Sequence, residues 1–161
     1  MKFKYHFFLG IIFIILLYFL FSPVISILGL SIIFLSSFLI DIDHYFYYIY
    51  KKGDFSLVRA YKWYIRNTRK FCSMPERERK NFYLGFYIFH GIEPLIILFL
   101  LGFYISQFFN FILIGFLFHL VTDLISEIIL KQRIDKISII QNFLIIRNLS
   151  DFEKMDVNQI S

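Results

Sequence analysis

The chain has 161 residues, 58% of them hydrophobic and 22% aromatic, against roughly 45–50% apolar in an ordinary soluble domain. That balance excludes a soluble globule, and the scarcity of Gly (7) and Pro (3) excludes collagen-like and disordered classes. The lone cysteine, Cys72, excludes an internal disulfide and a thiolate zinc knuckle.

From Phe7 to Ile40 there is no charged residue, and a continuous helix of that length, ~50 Å, would overrun a hydrocarbon core of ~30 Å. The run must fold back, and Ser22-Pro23 is the breaker pair where a turn is expected. Spans are therefore predicted near 5–21 and 24–44. Further apolar runs predict a third span near 82–101 and a fourth near 108–130, joined by a short link from Gly102 to Gln107. The expectation is an all-α, polytopic membrane protein: one integral domain, 1–161, with four transmembrane helices. The first span has the basic start of a signal peptide, but no A-x-A-like cleavage site follows, so it is expected to stay.

All seventeen Lys and Arg fall at the N-terminus, between Lys51 and Lys80, or after Leu130. The positive-inside rule then places both termini, the basic loop 51–80 and the tail 131–161 on the cytoplasmic side of an inner membrane. Within the loop, residues 54–72 put Leu57, Val58, Tyr61, Tyr64, Ile65 and Phe71 along one helical stripe, with Arg59 and Lys62 largely elsewhere and Trp63 as an interfacial aromatic. This predicts an amphipathic cytoplasmic surface helix on membrane lipid. Topological anchoring is the simpler account of its charge; the functional one has Arg66, Arg69 and Lys70 holding an anionic headgroup. No nucleic-acid partner is expected. Ser73, Pro75 and Glu76 read as a capping box opening the third helix, and Ile134 to Ile146 as a second surface helix.

Ionisable residues inside a membrane each need a partner or a function. Here they come in pairs: Asp41-Ile42-Asp43-His44 closes the second span, His90 and Glu93 lie in the third, and His119 and Asp123 in the fourth. Spacings of three and four put each pair on one helical face. Counted from the nearest cytoplasmic charge (Lys51, Lys80 or Lys131), all three lie at one depth, roughly 10–20 Å along each helix. Four carboxylates and three imidazoles in a low dielectric call for cations, one or two divalent ions, and the mixed Asp/Glu/His set suits Zn, Mn or Fe. The metal candidates are thus Asp41, Asp43, His44, His90, Glu93, His119 and Asp123. His6 is expected at the interface and Glu127 nearer the surface than Asp123, each a candidate to support the ligands from outside, and Pro94 as a kink in the third helix.

The Asp-Ile-Asp-His run, the later His-bearing helix and the segment from Gly115 to Asp123, with His119-x3-Asp123, resemble the bacterial and archaeal inner-membrane metal-dependent hydrolase family. The resemblance covers about residues 36–125. It implies a multi-helix integral protein, a hydrolase, and Asp41, Asp43, His44, His119 and Asp123 at the metal positions. The chain departs from the family pattern at Ile40, where proline is usual, and at His90-Gly-Ile-Glu93, where a second His is usual.

The leading expectation is a hydrolase whose metal acidifies water to attack an ester or phosphoester, lipid-linked or phosphorylated, at the inner leaflet, with Glu93 or Asp43 as base. The same residues also suit an ion- or proton-translocating protein, small at four spans unless it forms a homo-oligomer, or a noncatalytic subunit with a structural metal.

Overall fold

A computed structural model describes residues 3–21, 24–79, 81–131, 138–147 and 149–152. The predicted Ser22-Pro23 turn lies outside the described residues. The first helix, α1 (Phe3–Phe21), carries no ionisable side chain other than tyrosine after His6. Past the turn region, Ser26 caps α2 (Ile27–Leu39), its Oγ accepting from the Gly29 amide at 3.1 Å. A two-residue interruption at Ile40-Asp41 separates α2 from α3 (Ile42–Lys52), which ends where Gly53 takes φ +61°, a left-handed cap open to glycine without strain. The second apolar stretch therefore runs from Ile27 to Lys52, beyond the predicted end at 44, because its tyrosines continue the helix across the break.

Helix α4 (Leu57–Ser73) buries Ala60, Trp63, Asn67 and Phe71, a helical stripe packed on α3 through Tyr48 and Trp63. The predicted apolar stripe is split: Phe71 is buried, while Leu57, Val58 and Tyr61 are exposed. The capping box does not form. Ser73 ends α4, its Oγ donating to the Lys70 carbonyl at 2.7 Å, and only one turn, α5 (Glu76–Arg79), follows.

The third predicted span is overturned at its start. Residues 82–91 hold a short strand, β1 (Phe82–Tyr83), and irregular backbone, and α6 covers only Ile92–Tyr104. Thirteen residues make ~20 Å of helix, short of a bilayer core. The reason lies in Pro94, which lacks an amide donor and fits a helix best in its first turn; α6 starts two residues before it, so no kink arises. Helix α7 (Phe108–Lys131) returns alongside α6, α8 (Ile139–Ile146) forms part of the predicted second surface helix, and β2 (Ser150–Asp151) pairs in parallel with β1. Residues 134–137 of that predicted helix lie outside the described residues.

Among the described residues, three stretches are long and apolar enough to cross a membrane, Lys4–Phe21, Ile27–Lys52 and Phe108–Ile129, compatible with a membrane protein. Helices α1, α2, α6 and α7 form the bundle, α2 packed against α1 and α7, and α6 against α7. A Cβ on Gly115 would strike Ser36 Oγ and come within 2.5 Å of the Ile33 carbonyl, so only glycine allows α2 and α7 this close. Large apolar side chains such as Phe19, Ile27, Phe103 and Ile129 face outward, and the most buried side chains include His6, His90, His119, Asp123 and Glu127.

Candidate metal centre

The polar interior is assembled from five pieces of chain. The α2–α3 break turns Asp41 inward, and the first turn of α3 supplies Asp43 and His44. The irregular segment before α6 brings His90, α7 brings His119 and Asp123 one turn apart, and α1 brings His6. His6, His90, His119 and Asp123 are each at most 1% exposed. Polar groups this deep must be satisfied by one another or by a bound ion.

The tautomers of two imidazoles follow from their partners. His119 Nδ1 lies 2.8 Å from the Ser37 carbonyl, which can only accept, so Nδ1–H donates. His90 Nδ1 lies 2.9 Å from Asp43 Oδ2 and donates to that carboxylate. In neutral rings, both Nε2 atoms then carry lone pairs, yet they face each other at 3.2 Å. Asp41 Oδ1 stands 3.5 Å from each Nε2, and Asp123 Oδ2 stands 3.7 and 3.8 Å from them. Both nitrogens thus face carboxylate oxygens of Asp41 and of Asp123 as well as each other, a crowd of lone pairs that repels itself without a shared cation.

The donor set fits a divalent ion. Ligand bonds of ~2.0–2.2 Å in a tetrahedron separate neighbouring donors by ~3.3–3.6 Å, close to the nitrogen–nitrogen and nitrogen–oxygen spacings above. Among the described residues, three overlapping groups, His6 with Asp41 and His119, Asp41 with His44 and His90, and His90 with His119 and Asp123, could each hold a metal ion.

Asp43 stands behind this set. Its Oδ1 accepts from His44 Nδ1 at 2.7 Å, and its Oδ2 from His90 and from the Phe89 amide at 3.1 Å. Its oxygens are thus committed to orienting two imidazoles, the role of an outer carboxylate in metal sites. His44 stacks on Tyr87 at 4.0 Å.

Glu93 is not brought to the cluster. Its carboxylate accepts from Ser138 Oγ at 2.5 Å and from the Ile139 and Ile140 amides at 2.9 and 3.2 Å, capping α8. His90 and Glu93 share no helical face, since α6 begins between them. Arg66, Arg69 and Lys70 are exposed on α4, which supplies no member of the three metal-capable groups.

His6 was expected at the interface and is instead central: its Nε2 lies 3.0 Å from Asp123 Oδ1, and its ring stacks on His119 at 3.9 Å. Glu127, expected nearer the surface, is also buried. Outside the bundle, Arg59 clamps Asp54 with two bonds of 2.6 Å, and this guanidinium holds the Asp54 carboxyl well below the usual carboxylate range. Tyr48 also donates to Asp54, and Tyr45 donates to the Phe55 carbonyl at 2.6 Å, fixing the corner between α3 and α4.

No protein-family model, curated protein or solved structure matches the chain.

Proposed function

We propose that the protein is a membrane-embedded metal-dependent hydrolase acting on an ester or phosphoester. The observation that carries this reading is the facing pair of Nε2 atoms of His90 and His119, 3.2 Å apart, each ring committed as a donor at its other nitrogen. Asp41, His90, His119 and Asp123 would hold the ion; two carboxylates and two neutral imidazoles balance one divalent charge. When bound, Zn, Mn or Fe supplies Lewis acidity that polarises the scissile group and acidifies water.

The remaining roles belong to the chain. The Ser37 carbonyl holds His119 in one tautomer, and His6 orients Asp123 from behind. His44, steered by Asp43 and half-buried beside Asp41, is the group placed to move a proton, in the role of general base. Glu93, committed to α8, is relieved of that role. The cytoplasmic placement of the basic α4 rests on the charge distribution alone, and the resemblance to the inner-membrane hydrolase family on the Asp-Ile-Asp-His and His-x3-Asp segments.

The test is elemental analysis of purified wild type, followed by hydrolysis of p-nitrophenyl acetate and bis(p-nitrophenyl) phosphate with and without chelator. One divalent ion per chain and chelator-sensitive turnover on either compound, absent in His44→Ala with its metal retained, is the expected result. Wild type without bound transition metal would overturn the reading in favour of protons shared along His44, Asp43, His90 and His119.

A further inference from the structure

A cavity of about 350 Å³ opens between the α2–α3 break and α4, within the ~300–1,000 Å³ of ordinary ligand sites. Phe38, Leu39 and Ile42 form one wall, and Leu57, Tyr61 and Ile65 the other. Apart from tyrosines, the ionisable side chains on its surface are Asp41 and His44, both beside the α2–α3 break. Asp41 is therefore shared: its Oδ1 is among the converging donors, and its side chain also borders the cavity.

A cavity of this composition suits a molecule with two unlike ends. Resting on the hydrolase reading, we propose that it receives the single hydrocarbon chain of an amphiphilic substrate, whose ester or phosphoester head lies at Asp41 and His44. Charge complementarity supports that orientation. An acidic head would meet the metal proposed beside Asp41, whereas the opposite wall offers no acidic or basic side chain, only carbon and the hydroxyls of Tyr61 and Tyr64. The far lip explains the split stripe of α4. Leu57 is 67% and Tyr61 52% exposed, so these side chains form an apolar threshold through which a chain slides in from hydrocarbon without crossing water. A water-soluble substrate would need neither that threshold nor an apolar wall facing the metal ligands.

The probe is a twelve-carbon alkyl phosphate with a photoactivatable diazirine at its chain end, added to the full-length protein in lipid nanodiscs. After illumination, peptide mapping should place the adducts on Leu57, Tyr61 or Ile65. Excess dodecyl phosphate should suppress them, and equal methyl phosphate should not. Leu57→Ser/Tyr61→Ser, which changes only exposed positions, should cut the yield at least fivefold with metal content unchanged. Adducts spread over the outward faces of α1 and α7, without saturation or unaffected by the double change, would overturn the proposal. Saturable labelling of α4 in a metal-free wild type would leave the chain site standing while removing the hydrolase reading. Metal-dependent turnover with diffuse labelling would do the reverse.

Discussion

The helical bundle and the outer layer around α4, β1 and β2 bury opposite things. In the bundle, Phe19, Ile27 and Phe103 point outward while His6, His90, His119 and Asp123 are sealed inside. In the outer layer, Arg66, Arg69 and Lys70 are exposed while Trp63, Phe71 and Phe152 are buried, with Phe71 edge-on to Phe152 at 5.5 Å. Such a contrast is what two surroundings would select, hydrocarbon around the bundle and water over the charged face of α4. Where the surroundings are hydrocarbon, apolar burial gains little, and cohesion comes from close backbones and polar contacts. Where they are water, the hydrophobic effect does the work.

The sharpest way to break this contrast is a pair of identical truncations. Phe71→Ala should destabilise by ~3–5 kcal/mol, the usual cost for a buried Phe, whereas Phe103→Ala should shift the melting temperature little, because lipid replaces what is lost. Equal effects in nanodisc thermal melts would erase the distinction.

Next in size is the metal. His119→Ala and Asp123→Asn should both lose the ion, and with it ~2.7–4.1 kcal/mol at ligand 100- to 1,000-fold over Kd. Chelator should lower the wild-type melting temperature to that of the variants. A hydrogen-bonded network without metal would leave Asp123→Asn mild, since an amide still donates and accepts, and interhelical hydrogen bonds in membranes average ~0.6 kcal/mol.

Gly115→Val probes cohesion without touching a ligand. The added carbons would strike Ser36 and Ile33 on α2, and overpacking of this kind costs ~1–3 kcal/mol. The expected readout is a lowered melting temperature together with weakened metal binding, because α2 leads into Asp41.

The smallest effect belongs to the exposed Asp54–Arg59 clamp. Because the folded carboxyl is depressed by the guanidinium, its stabilisation is present above the unfolded carboxylate value of ~3.9 and fades as pH falls below it. Melting temperatures of wild type and Asp54→Asn should differ slightly at pH 7, converge under acid, and converge also in high salt.

Counting residues from the nearest basic side chain brought Asp41, His44, His90, His119 and Asp123 to one level, and the structure gathers these residues. The same count misled for His6, judged by its closeness to Lys4. The signal that finds it is the hairpin: His6 and Asp41 stand almost equally far from Pro23 in sequence, so antiparallel helices bring them to one depth. The third span failed because hydropathy cannot tell an extended apolar segment from a helix. Gly85, Gly91 and Pro94 were the punctuation that separates them. Glu93 went astray for a different reason: its partners lie in the tail, and no local pattern announces a carboxylate that caps a helix 45 residues away.

The capping of α8 by Glu93 bears on a residue three positions earlier. His90 sits on irregular backbone, the part of the cluster with most conformational freedom to lose when a ligand is captured. Asp43 restrains it from one side through the Phe89 amide, and the Glu93–α8 contact restrains the other. The entropic cost of ordering that segment is thus met at folding, so α8, which among the described residues belongs to none of the metal-capable groups, would raise the affinity for an ion through pre-organisation.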